Sequence, residues 1–84
     1  MWFVYIIQSE KSKKIYIGLT NNLQERLKKH NQQKSFSTKR DIPWQIVYYE
    51  AYQSIKDATL REKRLKYYGK ALAQLRKRII HSLS

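Results

Sequence analysis

Apolar and polar positions along the first twenty residues follow the pattern of two short strands. Residues 2–7 are β-branched or aromatic with apolar side chains at both parities, which is typical of a strand covered on both faces. A second strand is predicted over residues 14–18, where Tyr16 and Gly18 share one face. Residues 8–13 between them are polar and few, so an antiparallel hairpin is the simplest connection.

The pattern then changes from strand to helix spacing. Asn22 is suited to cap a helix, and Glu25 three residues later completes a capping-box pattern. Leu23 and Leu27 lie one turn apart and define the side of this helix that should face the core. A first helix is therefore predicted to begin directly after the hairpin.

A third strand and two further helices are predicted in the second half of the chain. Residues 44–50 have strand character, and three strands are the fewest expected to give a stable sheet. Ser54, followed three residues later by an aspartate, opens a second helix. Its inward stripe consists of Ile55, Ala58 and Leu65. Gly69 is predicted to interrupt it, with a third helix from about Ala71. The apolar positions of that helix are Leu72, Leu75 and Ile79.

Residues 31–43 are predicted to be a polar loop. Its hydroxyl and cationic side chains suit phosphate oxygens, and they are Ser35, Ser37, Thr38, Lys39 and Arg40. For any one of them, a flexible surface connector explains the composition equally well.

Composition makes nucleic acid the expected partner of this chain. At 84 residues it should form a single domain, and 18 Lys and Arg against 6 Asp and Glu give a net charge of +12. Residues 56–78 alone hold nine basic and two acidic side chains. Without cysteine there are no disulfides or thiolate metal sites, and the short apolar run at the start suits neither a membrane helix nor a signal peptide. A cytoplasmic, nucleoid-associated protein is expected.

Three ionisable side chains occupy positions where helix periodicity calls for apolar residues. Arg26 follows Leu23 by three positions, and His30 follows Leu27 by three. Glu62 falls in the inward stripe of the second helix, where a carboxylate is costly unless a cation satisfies it. Plain structural explanations exist, since the arginine and glutamate could form a salt bridge and the histidine could be a packing residue.

Together with two strand tyrosines, these side chains suit phosphodiester hydrolysis. Tyr5 and Tyr16 belong to a set of seven tyrosines, and a buried, hydrogen-bonded tyrosine is ordinary by itself. Hydrolysis requires a group that deprotonates water, a cation that neutralises the phosphate, and stabilisation of the leaving oxygen. Phenol or imidazole, arginine, and a divalent ion held by a carboxylate would supply these functions.

The motif residues resemble the GIY-YIG nuclease superfamily in its short stand-alone bacterial form. The similarity covers nearly the whole chain, and the ten-residue step from Tyr16 to Arg26 makes it fairly specific. The residues that carry it are Val4, Tyr5, Ile6, Tyr16, Ile17, Gly18, Arg26, His30 and Glu62. The resemblance implies an α+β fold, with a small three-stranded antiparallel sheet flanked by three helices.

The resemblance also implies a role for each residue of the site. Tyr16 corresponds to the tyrosine that activates water, His30 to the group that relays its proton, and Tyr5 to the tyrosine that orients the site. Arg26 corresponds to the arginine that supports the scissile phosphate. Glu62 corresponds to the ligand of Mg²⁺ or Mn²⁺.

Three positions depart from the family pattern. Val4 replaces the glycine of the first tripeptide, and Leu19 stands where some repair-type members have lysine, so Lys39 or Arg40 would have to supply that cation. Gln74 is the nearest candidate for a late-helix asparagine found in some members.

The leading hypothesis is a magnesium-dependent DNA endonuclease with weak sequence preference, with RNA left open as a substrate. DNA contacts are expected from Thr38, Lys39, Arg40, Lys63 and Lys66. The alternative is a nucleic-acid-binding module of the same fold with little or no activity. A third interpretation is an interaction subunit that docks on a protein partner or on a second copy of itself.

Overall fold

The structure is a computed structural model that describes residues 1–32 and 38–84. Its elements are β1 (Trp2–Ser9), β2 (Ile15–Thr20), α1 (Leu23–Asn31), a short 3₁₀ helix (Lys39–Asp41), β3 (Trp44–Tyr52), α2 (Ile55–Tyr67) and α3 (Gly69–Arg78). The predicted phosphate contacts Ser35 and Ser37 lie outside the described residues. Within that part of the chain, no helix is long and apolar enough to cross a membrane.

The three strands form one antiparallel sheet in the order β2-β1-β3. Because β1 is central, it is covered on both faces, which confirms the prediction made from its apolar residues at both parities. In this register Tyr5 lies opposite Gly18 of β2 on one side and Tyr49 of β3 on the other. The predicted hairpin and the α+β fold class are therefore confirmed.

The sheet separates two apolar clusters. On one face, α2 and α3 cover the sheet, and the buried residues are Val4, Ile6, Ile17, Ala58, Leu65 and Leu75. On the other face α1 covers it through Leu23 and Leu27, which pack with the buried residues Tyr5, Ile7 and Trp44. The inward stripe predicted for α1 is confirmed, and this second face, called the tyrosine face, carries Tyr5 and Tyr16.

The N-termini of α1 and α2 are capped as the sequence predicts, although the capping box of α1 is only half formed. The Asn22 side chain accepts a hydrogen bond of 3.1 Å from the backbone N–H of Glu25. The backbone N–H of Asn22 donates to the Thr20 hydroxyl at 3.1 Å instead of to the Glu25 carboxylate. Ser54 caps α2 by accepting from the N–H of Lys56 at 3.2 Å.

Two predictions about the later helices need correction. Ile55, expected to face the core, is 45% exposed, because it is the first residue of α2 and precedes the turn that packs on the sheet. The break between α2 and α3 lies at Tyr68, whose backbone is extended, and Gly69 is the first residue of α3. The N–H of Tyr68 closes α2 by bonding to the carbonyl of Arg64, and its carbonyl accepts the first bond of α3.

A side chain at the end of α1 fixes the helix to β3. The amide of Asn31 donates to the carbonyl of Trp44 at 2.9 Å and accepts from its backbone N–H at 2.6 Å. This pair of bonds resembles one rung of a β-ladder, so the last turn of α1 is held against the sheet. His30, the preceding residue, is thereby placed over the tyrosine face.

Candidate active site

Tyr5 lies at the centre of the site because β1 is the middle strand. Its side chain is 2% exposed, and burial raises the pKa of its phenol, so the hydroxyl keeps its proton at neutral pH. Gly18, its neighbour on β2, leaves the space that this ring occupies. A Cβ atom at that position would overlap the phenol oxygen and the adjacent ring carbons. The glycine is therefore needed for close approach.

His30 is fully buried, and both of its ring nitrogens have partners. Its Nε2 lies 2.9 Å from the Tyr5 hydroxyl, and its Nδ1 lies 2.8 Å from the Thr38 hydroxyl. Burial, together with the charge of Arg26, lowers the pKa of His30 to about 4, so the imidazole is neutral at pH 7. Since the Tyr5 hydroxyl keeps its proton and can donate it to Nε2, we assign the remaining imidazole proton to Nδ1, which donates to Thr38.

Thr38 was expected to contact phosphate from the surface, but the structure places it in the interior. Its side chain is fully buried, with the hydroxyl at His30, and its carbonyl accepts from the Trp44 indole at 2.7 Å. Because Trp44 belongs to the core of the same face, the threonine is held inside the protein. In the structure, its hydroxyl supports the imidazole.

Arg26 extends the hydrogen-bonded chain toward solvent. Its Nε donates to the Tyr5 hydroxyl at 3.3 Å, and that bond, together with a weaker contribution from Tyr16, raises the pKa of Arg26. The salt bridge with Glu62 that the sequence left open does not form in the structure. Among the described residues Arg26 has no carboxylate partner, and the ion pair of Glu62 is with Lys66, at 3.3 Å.

Tyr16, Glu62 and Lys66 form the outer part of the site. The Tyr16 ring contacts the edge of His30 with 5.0 Å between ring centroids, while the histidine nitrogens bond elsewhere. Lys66 Nζ lies 6.0 Å from the centre of the Tyr16 ring. The Glu62 side chain is 18% exposed and lies close enough to Tyr5 for its charge to raise the pKa of that phenol. The five predicted catalytic side chains therefore lie in one region.

The described residues of the site offer a divalent ion one protein carboxylate, that of Glu62. Among residues 1–32 and 38–84, no three His, Cys, Asp or Glu side chains come together as a metal-binding group. Mg²⁺ is commonly held by one or two carboxylates, with waters and substrate phosphates completing its shell. Glu62 meets that requirement, provided that Lys66 moves aside.

The cations expected to contact DNA are exposed on two elements. Lys39 and Arg40 form the 3₁₀ helix that follows Thr38, and Lys63 and Lys66 lie on α2. Lys66 lies at the candidate site, with its ammonium near the Tyr16 ring and paired with Glu62. Leu19 stands where some repair-type members have lysine, and the cation near Tyr16 in this structure is Lys66.

A second polar cluster, centred on Glu50, was not anticipated from the sequence. The Glu50 carboxylate accepts from the Tyr48 hydroxyl at 2.6 Å and from the Tyr52 hydroxyl. It also accepts from Arg61 Nε and Nη2, at 2.9 and 3.0 Å. Burial alone would raise the pKa of Glu50, but the bonds from Arg61, Tyr48 and Tyr52 outweigh it and lower the pKa. A glutamate flanked by tyrosines two positions away on the same strand face was the available signal.

Comparison with known proteins agrees with the motif. The family profile of the GIY-YIG catalytic domain matches residues 1–77. The UPF0213 protein CPE1444 of Clostridium perfringens (strain 13 / Type A) is 36% identical over 78 residues, covering 92% of this chain and 78% of that protein. No solved structure is significantly similar to the chain. The chain belongs to the GIY-YIG family and has a nuclease-type fold, for which nucleic acid is the substrate class.

Proposed function

We propose that this GIY-YIG protein is a metal-dependent endonuclease that hydrolyses phosphodiester bonds in DNA. The observation that carries the proposal is the environment of Arg26, a half-buried guanidinium that bonds a phenol and has no carboxylate partner among the described residues. A partly desolvated cation without a counterion favours an anionic ligand. A phosphate approaching Tyr5 and Tyr16 would supply that anion.

The buried part of the chain would position the site without exchanging protons with solvent. His30 is neutral, fully buried and bonded at both nitrogens, so a water in the cleft has no direct access to it. The histidine instead holds the Tyr5 hydroxyl, and Tyr5 in turn holds Arg26. Under this proposal these side chains orient the phosphate.

Tyr16 is the better candidate to take a proton from water. It is partly exposed, it lies near both the imidazole ring and the Lys66 ammonium, and it contributes to the raised pKa of Arg26. The assignment as the water-activating group rests on the family resemblance. The structure supports it because Tyr16 is partly exposed, whereas Tyr5 is buried.

Glu62 would hold the divalent ion, with Mg²⁺ as the first candidate and Mn²⁺ as the second. Such an ion supplies charge neutralisation at the leaving oxygen. The Glu62 carboxylate lies in an ion pair with Lys66 at 3.3 Å, and a bound phosphate would offer that lysine a new partner.

DNA binding around the cleft would depend on the attraction between basic side chains and phosphates, and not on recognition of bases. The chain has a net charge of +12, and Lys39, Arg40, Lys63 and Lys66 are exposed. Contacts of this kind fix the position of a strand without selecting its sequence. Weak sequence preference and a strong salt dependence are therefore expected.

The test is nicking of supercoiled plasmid and of labelled linear, branched and single-stranded DNA, with Mg²⁺ and with chelator. Tyr16→Phe and Glu62→Gln should suppress Mg²⁺-dependent nicking about a hundredfold or more while leaving the melting temperature unchanged. Tyr67→Phe is the matched control, because Tyr67 is 77% exposed at the end of α2. Wild-type nicking rates in both site variants would contradict the proposal.

A binding module of the same fold is the competing function. The ion pair between Lys66 and Glu62 favours it, since it occupies the proposed metal ligand. Purified protein that binds DNA but never nicks it with Mg²⁺ or Mn²⁺ would support this alternative.

A further inference from the structure

A groove between α2 and α3 carries an unusual concentration of guanidinium groups. It has a volume of about 400 Å³. We call it the arginine groove, and it is lined by Arg61, Arg64, Ala71, Gln74, Leu75 and Arg78. Gln74, the departure from the late-helix asparagine of some family members, therefore lies in this groove and not at the candidate active site.

The positive charge of the arginine groove is poorly compensated. Arg61 is engaged by Glu50, but Arg64 and Arg78 are exposed and form no ion pair among the described residues. All of the charged side chains of α3 are basic. Like charges held along one groove repel each other, and a polyanion would relieve that repulsion.

An exposed aromatic ring adjoins these arginines. Tyr68 is 66% exposed at the extended break between the two helices. It shares a hollow of about 320 Å³ with Arg64 and Ala71, two residues of the arginine groove. An aromatic ring beside a basic groove is the combination by which proteins bind unpaired nucleic-acid strands, with bases stacked on the ring and phosphates on the cations.

The arginine groove lies on a different side of α2 from the candidate active site. Lys66, which is paired with Glu62, lies near Tyr16 on β2, whereas Arg61 bonds to Glu50 on β3 at the opposite edge of the sheet. A strand in the groove would therefore be a segment other than the one at the cleft.

We propose that the arginine groove and Tyr68 bind a single-stranded segment of nucleic acid, with phosphates at Arg64 and Arg78 and a base on Tyr68. The inference rests on the proposed function in taking nucleic acid as the ligand, and it names unpaired strands beside the cleavage site as part of the substrate. Duplex DNA would offer Tyr68 no free base, so single strands should bind more tightly at this groove.

The test is fluorescence anisotropy with a labelled oligothymidylate, in chelator, over a range of salt concentrations. Tyr68→Ala should weaken binding about fivefold or more, whereas Tyr67→Ala, at the neighbouring tyrosine that is 77% exposed, should change it less than twofold. Arg64→Gln/Arg78→Gln should reduce the slope of log affinity against log salt by about 1.4. The control Lys70→Gln/Arg76→Gln removes the same charge from α3 outside the groove and should leave the slope near wild type.

Equal effects of the two tyrosine variants, or equal slopes for the two double variants, would overturn the proposal in favour of diffuse attraction. Because all of the substituted positions are exposed, we expect each variant to melt at the wild-type temperature. An unchanged melting temperature confirms that the variant is folded. Because chelator prevents cleavage, loss of groove binding and loss of nicking are measured separately. If the protein never nicks DNA but the variants change oligothymidylate binding as expected, the nuclease proposal fails and the binding role of the arginine groove stands.

Discussion

The chain contains two clusters of the same residue types, one around His30 and the other around Glu50. Each has two tyrosines, an arginine and a glutamate: Tyr5, Tyr16, Arg26 and Glu62 around His30, and Tyr48, Tyr52, Arg61 and Glu50 between β3 and α2. In the second cluster, the carboxylate receives bonds from all three neighbours. In the first, the arginine and the glutamate do not pair, and a phenol stands at the guanidinium.

The difference shows that residue type does not separate a structural cluster from a candidate site. A carboxylate and a guanidinium that satisfy each other have little left for a ligand, and they hold β3 to α2. An arginine whose partner is neutral retains its charge for an incoming anion. The expected consequence is that one cluster governs stability and the other governs activity.

The largest expected effect is a difference in nicking rate between substitutions of Arg26 and of Arg61. Arg26→Gln should lower Mg²⁺-dependent nicking by about a hundredfold to a thousandfold, because the phosphate loses its principal cation. At protein concentrations that saturate the DNA, Arg61→Gln should leave the rate per folded molecule nearly unchanged, because Glu50 already engages this lining residue of the arginine groove. Single-turnover nicking rates on supercoiled plasmid, corrected for the folded fraction, make the comparison. If the two variants lose activity equally, the division of roles is wrong.

Stability should show the opposite order. Glu50→Gln removes the charge that Arg61, Tyr48 and Tyr52 share, and it should lower the free energy of unfolding by about 2 to 3 kcal/mol. Glu62→Gln removes one partly exposed ion pair within a single helix turn and should cost less than about 1 kcal/mol. Urea titration at neutral pH measures both values. Equal destabilisation by the two substitutions would remove the contrast.

The two clusters should also respond to acid in different pH windows. The pKa of His30 falls from 6.5 to about 4 on folding, so the unfolded state binds the proton more readily between these values. Stability due to His30 is complete above pH 6.5 and decreases as pH falls from 6.5 to about 4. The Glu50 contribution is present above its unfolded pKa of 4.5 and is lost as pH falls further, through its lowered folded value.

Urea titrations across both windows test this assignment. His30→Gln should flatten the upper part of the pH dependence, and Glu50→Gln should flatten the part below 4.5. An upper window that persists in the histidine variant would assign it to another group.

The smallest expected effect concerns Thr38. Thr38→Val removes the acceptor of the imidazole Nδ1 proton, and loss of one buried neutral hydrogen bond, about 1 kcal/mol, should slow nicking about fivefold to tenfold. Thr38→Ser, which keeps the hydroxyl, should restore the rate. Nitrogen chemical shifts of His30 report the tautomer, and an unchanged Nδ1 protonation in the valine variant would contradict this positioning role.

Periodicity in the sequence was sufficient for the elements and for the facing of most side chains. The two parities of β1, the 3.6-residue spacing of α1 and the caps Asn22 and Ser54 are local properties, because each depends on neighbours within a few positions. The same spacing placed Arg26 and His30 on the sheet side of α1, where the structure has them. Ile55 was misjudged because periodicity gives the direction of a side chain and not whether the sheet reaches that far.

Only the tertiary structure decided which polar groups are partners. Thr38 meets His30 because the chain returns past the end of α1, and Glu50 meets Arg61 because β3 lies at the edge of the sheet over which α2 packs. Neither pair follows from spacing, since each joins two elements whose separation is fixed by the packing of the whole sheet. The sequence by itself therefore determined the types of the polar residues and the faces they occupy. The three-dimensional packing decided which charges cancel and which, as at Arg26, have no carboxylate partner among residues 1–32 and 38–84.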